Sequence, residues 1–242
     1  MDSYHIRDHV EDYMQKLRLG AQRIKDTAPE QLEKYYEKRA LVYEAEMEQY
    51  RKGYERIAEL LPNNLDSLLD VGCGTGLELE EIFKRFPECY VTGVDISREM
   101  LDRLEEKYFK KNIELVRADC FKRLYPKHNY EAVLSAFTMH HYDWKKKRYF
   151  YEKLFSALKP EGKIILMDTF ACCEEEENLM AEAADYVRQK WDLKDSLVHL
   201  DVPITPDKEI GALRLAGFEN VRVEGICDGV MIIVGEKQDF YE

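Results

Sequence analysis

The sequence predicts an α/β protein: a doubly wound, mostly parallel sheet preceded by a helical segment. Three observations carry this. From residue 65 onward, short apolar runs alternate with segments of helical period, the pattern of a sheet covered on both faces. The first run, Leu68, Leu69 and Val71, passes through a turn crowded with glycine into Leu77, Leu79, Ile82, Phe83 and Phe86, which recur at helical spacing. The last two runs, residues 218–225 and 230–236, are joined only by Ile226-Cys227-Asp228-Gly229, so they form a hairpin and one of them is antiparallel to the rest.

The first 62 residues carry no strand signal and read as a helical cover, with the core domain spanning residues 63–242. Asp8 to Lys25 is helical, with Val10, Tyr13 and Leu17 on one side. Thr27-Ala28-Pro29-Glu30 has the form of a capping box with proline in the first turn. From Tyr36 to Leu61, apolar and tyrosine residues recur in steps of four and three. That run is longer than most globular helices, which predicts a break near residues 43–48. Strands then follow at residues 67–71, 90–95, 113–118, 130–135 and 163–167. The helices between them cover residues 76–86, 97–110 and 144–158, with a short, weakly signalled one at 121–124. A helix opens in the acidic run Glu174 to Glu177, where negative charge suits a helix start, and reaches about Lys190. Residues 192–205 have little periodicity and read as a loop with the makings of a lid. Pro206 opens a last helix, which Gly217 ends.

At 242 residues the chain is long enough for one decorated α/β domain and short for two. A net charge of −12 argues against a general phosphate-binding surface, because nonspecific nucleic-acid affinity rests on Lys and Arg. No stretch has the pattern of a signal peptide or a membrane span, so a cytoplasmic protein with reduced thiols is expected, a monomer or a homodimer. No metal site is expected: Cys172-Cys173 lacks a second pair or a nearby histidine, and a site at His140 and His141 would need a third ligand, for which Asp168 is the one candidate by position.

The glycine-rich turn puts backbone N–H groups and a helix start at the carboxyl edge of the sheet. The next strand ends at Asp95, 19 residues beyond Gly76, where a carboxylate can accept both hydroxyls of a ribose. This is a nucleoside-cofactor site. Its glycines at 72, 74 and 76 read G-x-G-x-G, against the G-x-G-x-x-G usual for dinucleotides, and no Lys-Ser or Lys-Thr follows to make a P-loop.

Leu69-Asp70-Val71-Gly72-Cys73-Gly74-Thr75-Gly76 resembles motif I of the class I S-adenosylmethionine-dependent methyltransferases. The resemblance continues in Val94-Asp95-Ile96-Ser97, Ala118-Asp119-Cys120 and Leu158-Lys159-Pro160-Glu161-Gly162-Lys163, and covers about residues 35–237. It implies a Rossmann-like, seven-stranded sheet of order 3-2-1-4-5-7-6, S-adenosyl-L-methionine as cofactor with S-adenosyl-L-homocysteine as product, and a small-molecule acceptor. Among relatives the chain looks most like the group with type 11, 12 or 25 methyltransferase domains. By the same resemblance Asp70 and Gly72 line the methionine end of the cofactor, and Gly74 and Gly76 let the backbone pass beneath it. Asp95 takes the ribose hydroxyls, Ile96 packs on adenine, Asp119 accepts from the adenine amino group and Cys120 lies beside the ring. Ser135 and Phe137 border the sulfonium, and Tyr36 and Tyr43 come from an aromatic helix that closes over it. Asp70 has a second reading, as an acceptor for backbone amides of the loop; Cys73 belongs to the same cofactor-binding loop, as a small filler in preference to a nucleophile.

Methyl transfer requires alignment of donor and acceptor and, for a poor nucleophile, removal of a proton. His140 and His141 follow the fourth strand on the edge where such sites are built and are the candidate bases; the other reading makes them neighbours of the cofactor. Tyr142, Asp143 and Asp168 are placed to orient them. No Asn/Asp-Pro-Pro-Tyr/Phe motif follows that strand, which disfavours amine methylation of adenine or glutamine. The acidic ends and inserts lean toward a neutral or cationic acceptor. The alternatives are a cofactor-binding sensor without catalysis, an RNA or protein methyltransferase, and an NAD-dependent oxidoreductase.

Overall fold

The structure, a computed structural model, describes residues 7, 9–227 and 229–238. Asp8, expected to open the first helix, Asp228 of the closing turn and the side chain of Cys227 lie outside the described residues. Seven strands form one sheet of order β3-β2-β1-β4-β5-β7-β6, as the sequence predicts: β1 (Ser67–Val71), β2 (Tyr90–Asp95), β3 (Ile113–Arg117), β4 (Tyr130–Ala136), β5 (Leu158–Thr169), β6 (Glu219–Cys227) and β7 (Val230–Glu236). Only β7 runs against its neighbours β5 and β6; every other pairing is parallel. Strand order reverses between β1 and β4, so a crevice opens at the carboxyl ends of β1, β2 and β4.

The helices are α1 (Val10–Asp26), α2 (Leu32–Arg39), α3 (Tyr43–Met47), α4 (Arg51–Leu60), α5 (Leu79–Arg85), α6 (Arg98–Tyr108), α7 (Trp144–Ala157), α8 (Glu174–Lys190) and α9 (Pro206–Leu215). Alternate residues of each strand face opposite layers. Leu69, Val71, Val133 and Ile164 pack on Phe150 and Leu154 of α7 and Leu213 of α9. Leu68, Ala132, Leu134 and Ile165 pack on Ile57 of α4, Ile82 of α5 and Leu104 of α6. Burial on both faces is why Leu68, Leu69 and Val71 of β1 are all apolar, with Asp70 the buried exception. Among the described residues no helix is long and apolar enough to cross a membrane.

Four expectations about elements are corrected. Helix α5 starts at Leu79 and not at Gly76, because Gly72, Gly74 and Gly76 all hold positive φ (72°, 49° and 69°) and left-handed residues cannot join a right-handed helix. No helix forms at residues 121–124, where a turn over 120–122 runs into irregular chain: Phe121 is stacked between Tyr142 and Phe150, with ring centroids 3.7 and 4.1 Å away, and this packing outweighs a weak helical preference. Strand β5 begins at Leu158, which pairs with Tyr130 before a register shift. The Lys159-Pro160-Glu161-Gly162 segment is that irregularity, with Glu161 at φ 59°.

The fourth correction concerns the cover. Thr27 ends α1, its hydroxyl donating to the Arg23 carbonyl at 2.8 Å, and opens nothing. Gln31 is instead drawn into a bridge with Val198, Leu32 N–H donates to Leu197 O at 3.1 Å and His199 N–H to Glu30 O at 2.9 Å, so α2 starts only at Leu32. The break expected at residues 43–48 falls on both sides of that stretch: residues 40–42 form a turn, residues 43–47 are helical, and a 3₁₀ turn at Glu48–Tyr50 precedes α4. Helix α1 packs along α8, where the Tyr13 hydroxyl donates to Glu176 and Arg18 pairs with Glu175.

Candidate active site

The loop after β1 is fastened from behind. Gly72 N–H donates to Val94 O at 2.7 Å and Cys73 N–H to the same carbonyl at 3.3 Å. A Cβ on Gly72 would stand 1.9 Å from the Thr138 hydroxyl, so this glycine is required by space as well as by its φ. At Gly74 the nearest atom would be Tyr43 Cε1 at 4.0 Å, and only the backbone conformation demands glycine. Asp95 ties loop and helix together: one carboxylate oxygen accepts from Gly74 N–H at 2.9 Å and the other from Ser97 N–H at 2.8 Å. Ser97 in turn caps α6 through its hydroxyl. Burial holds the Asp95 carboxyl above its usual range in spite of those donors.

A cleft with about 540 Å³ of space outside protein atoms runs along this edge. It brings together ten of the residues singled out in the sequence. Gly72, Gly74 and Asp95 form its floor, Ile96, Asp119 and Cys120 one end, Phe137 and His141 the other, and Tyr36 and Tyr43 the roof. Asp119 is itself held, accepting from Phe121 N–H at 3.0 Å. Five others stand off the wall. Cys73 and Gly76 border a smaller adjoining pocket beneath the loop, together with Tyr43, Tyr54 and Glu78. Burial pushes the Cys73 thiol well up, which suits a filler and not a nucleophile. Ser135 donates its hydroxyl to Val71 O at 3.0 Å, cross-linking β4 to β1.

Asp70 lies fully buried on β1, where no loop amide donates to it and its polar neighbour is the Glu78 carboxyl. The reading of Asp70 as an anchor for loop amides therefore fails. Burial, then the Glu78 carboxyl beside it, drive its pKa well up, and burial raises Glu78 too. Two carboxyls are thus stored beneath the glycine loop, an arrangement that favours a cation arriving above it.

His140 is the fifth. The 3₁₀ turn Met139–His141 follows β4 and wraps around Asp168 at the end of β5. One Asp168 oxygen accepts from Met139 N–H (2.7 Å) and His140 N–H (3.1 Å); the other lies 2.5 Å from His140 Nδ1. Burial works to lower the His140 pKa, but the Asp168 carboxylate outweighs it and the net shift is upward. The neighbouring His141 lies with its Nε2 2.9 Å from the Tyr36 hydroxyl. Burial, with His140 alongside, depresses its pKa to about 4.

Sequence reasoning read residues 192–205 as a loop with the makings of a lid but singled out none of the residues by which it completes this end. Residues 192–205 place Leu197 in the roof of the cleft, and Asp201 puts Oδ1 3.1 Å from His141 Nδ1, 3.7 Å from His140 Nε2 and 3.9 Å from His199 Nε2. His199 stacks on Tyr35 at 3.5 Å. The available signal was His199-Leu200-Asp201, two polar groups of reactive type one residue apart in an otherwise aperiodic stretch. Val202 N–H donates to His140 O at 2.7 Å and holds the segment in place. His141 also borders a second, open cavity of about 1160 Å³ between α7, α8 and this segment.

Comparison with known proteins agrees with this geometry. Residues 68–162 match the family model described as a methyltransferase domain. Phosphoethanolamine N-methyltransferase 1 of Arabidopsis thaliana is 28% identical over 178 residues, covering 72% of this chain and 33% of that one. Malonyl-[acyl-carrier protein] O-methyltransferase 2 of Ilyobacter polytropus is 32% identical over 106 residues, 43% of this chain and 39% of that one. The chain thus spans about a third of the length of the curated relatives it matches first. Among solved structures, the DhpI–SAH complex superposes with a TM-score of 0.62 at 19% identity, covering 85% of this chain and 94% of that one. Human N-acetylserotonin methyltransferase in complex with SAM gives 0.63 at 18%, covering 86% and 57%. Motif order, sheet order and these matches agree: residues 68–162 match a methyltransferase domain, and the sheet that carries them is similar to the Rossmann-like fold of S-adenosylmethionine-dependent methyltransferases.

Proposed function

We propose that this protein transfers a methyl group from S-adenosylmethionine to a small-molecule acceptor. One observation carries the reading: a covered cleft in which the floor of positive-φ glycines and the Asp95 carboxylate converge at the switch point of the sheet, with the Asp70 carboxyl buried beneath the glycine loop. The residues present fit the cofactor. Asp95 retains one free acceptor direction on each oxygen for a ribose diol, because each already carries a single N–H. Ile96 and Cys120 give an apolar slot for a base, with Asp119 at its edge as acceptor. Tyr36, Tyr43 and Phe137 offer aromatic surface to a cation at the other end, and Asp70 with Glu78 supplies the matching negative charge. Ser135, Cys73 and Gly76 serve by shaping the loop and strand edge.

Bound there, S-adenosylmethionine supplies an electrophilic methyl group on a sulfonium. The chain's own contribution is alignment, exclusion of water by the Tyr36–Tyr43–Leu197 roof, and disposal of the acceptor's proton. His140 and His141 stand at the end of the cleft where an acceptor enters, since His141 borders both the cleft and the open cavity. That cavity is lined by Lys145, Lys146, Arg188 and Lys194 against Asp143, Glu177 and Asp185. This mixed lining gives no support to the lean toward a neutral or cationic acceptor. Residues 1–62 act as the cover and 63–242 as the core. With five described cysteines unpaired, a reducing, cytoplasmic setting is consistent; no partner beyond a second copy is invoked.

Calorimetry of the protein with S-adenosylmethionine, S-adenosylhomocysteine and NAD in parallel tests the reading. Binding of the two adenosyl compounds with no uptake of NAD is expected, followed by turnover with an acceptor from a small-molecule panel. Binding of NAD alone would overturn it. Tight adenosyl binding without turnover on any acceptor would leave a sensor.

A further inference from the structure

We infer that His140, His141 and Asp201 form a binding site for one divalent transition-metal ion, of the zinc, cobalt and iron(II) kind, at the acceptor end of the cleft. One ligand atom from each of the three lies within 4.8 Å of the other two. Each imidazole has one nitrogen committed and the other turned to the same point. His140 Nδ1 is held by Asp168, which leaves Nε2 3.7 Å from Asp201 Oδ1. His141 Nε2 is held by the Tyr36 hydroxyl, which leaves Nδ1 3.1 Å from that same oxygen.

The remaining atoms face only one another. His141 Nδ1 and Asp201 Oδ1 are both shut off from solvent and lie 3.1 Å apart as an ion pair, with His140 Nε2 beyond. A single cation placed among the three satisfies the carboxylate and both imidazole lone pairs at once. The His141 side chain is 1% exposed, so water does not satisfy it.

The spacing fits coordination. Metal–ligand bonds of about 2.1 Å put neighbouring donors roughly 3.0 Å apart in an octahedron and roughly 3.4 Å apart in a tetrahedron. The observed 3.1 and 3.7 Å lie on either side of the tetrahedral value. The outer contacts are those of a ligand histidine: Asp168 on the far nitrogen of His140 and Tyr36 on that of His141, each fixing ring orientation. Two imidazoles and one carboxylate leave coordination positions open, on the side where His141 borders both cavities. An acceptor oxygen or nitrogen placed there would lose its proton more easily. His199, with Nε2 3.9 Å from Asp201 Oδ1, is the next donor within reach.

The location rests on the methyltransferase reading only for what the ion would do, and binding is measurable without it. The chain is stripped with a chelator and dialysed against Co²⁺ and, separately, Zn²⁺. Metal per chain and the visible d–d absorption of the Co²⁺ form are then recorded. Wild type should retain one ion per chain, with the absorption of a nitrogen- and oxygen-ligated site. H141A and D201N should bind at least about tenfold more weakly, the scale seen when metal-site contacts are removed. S-adenosylhomocysteine titrated into the same samples separates the two ideas, and it also reports that each variant is folded. No retained ion in wild type that binds S-adenosylhomocysteine overturns the metal site alone. Failure of wild type to bind S-adenosylhomocysteine overturns the cofactor reading and leaves the metal result standing by itself. Uptake unchanged in D201N and H141A but lost in a C172S/C173S variant would assign the ion to the adjacent thiols and refute the inference.

Discussion

Replacing Asp95 separates its two roles. In Asp95→Ala the ribose diol loses both acceptors, and the Gly74 and Ser97 N–H groups lose their partner. A hydrogen bond to a charged group contributes about 1.5–3 kcal/mol. Losing the equivalent of one such bond to the ligand weakens binding about tenfold to a hundredfold, at roughly 1.4 kcal/mol per factor of ten. Stability should fall by less than the sum of two such bonds. Burial already outweighs the donors and holds the carboxyl above its usual range, so removing it also removes a desolvation cost. The expected loss is about 1–2 kcal/mol. Calorimetry with S-adenosylhomocysteine gives the first quantity and urea unfolding of the free protein the second. An affinity within threefold of wild type, in a protein that still unfolds cooperatively, would show that Asp95 fastens the loop and touches no ribose.

The two floor glycines should differ. Gly74→Ala carries only the penalty of a left-handed residue, about 1–2 kcal/mol, whereas Gly72→Ala adds a collision with Thr138 worth about 1–3 kcal/mol more; equal urea midpoints would contradict the close approach seen here. Away from the cleft, Lys147 Nζ meets Glu209 2.6 Å away with both side chains 1% exposed. Lys147→Met should therefore cost about 3–5 kcal/mol by stranding Glu209, and pairing it with Glu209→Leu should restore much of that. A thermal scan showing no loss for the single variant would refute the pairing. Last, Asp70, raised by burial and by the Glu78 carboxyl beside it, and Glu78, raised by burial, hold a proton that a cationic ligand displaces. Because the bound cation lowers the pair's pKa, affinity for S-adenosylmethionine should rise with pH up to the pair's pKa in the free protein. The released proton should appear as a buffer-dependent heat that Glu78→Gln abolishes; a heat independent of the buffer would remove the pair from the site.

Legibility followed the range of the interactions. The strands, the glycine loop and Asp95 were readable because each is specified within a few residues: β1 by its apolar run, the loop by its glycines, Asp95 by its place at a strand end. The sheet order came from the resemblance, not from periodicity. Asp70 stood in the right motif, but its isolation beneath the loop depends on Glu78 and on the absence of nearby donors, which spacing does not reveal. Ser135 was placed at the ligand, and only the cross-strand bond to Val71 shows what its hydroxyl does. The start of α2 and the roles of Leu197, His199 and Asp201 arise together from a long-range bridge between residues 31 and 198. Neither half of that bridge has a local signature.

That bridge also explains why the two ends of the site differ in stiffness. The cofactor end is built from strand ends inside a fully buried sheet, with Gly72, Gly74 and Asp95 locked by backbone hydrogen bonds. The acceptor end borrows Tyr36 and Asp201 from two segments that carry no strand in the sheet. They meet through the Leu32–Leu197 and His199–Glu30 backbone bonds, and Val202–His140 joins them to the core. At about 0.5–1.5 kcal/mol net for each hydrogen bond, the three backbone bonds contribute only a few kcal/mol, and the small apolar cluster of Ile24, Val198 and Leu200 against α8 adds to them. Tyr36–His141 and His141–Asp201 cross this weaker seam, whereas His140–Asp168 lies wholly within the core. Loosening the cover therefore costs His141 its orientation before it costs His140 or the glycine floor anything, so acceptor selectivity should respond to changes in the cover that leave cofactor affinity nearly untouched.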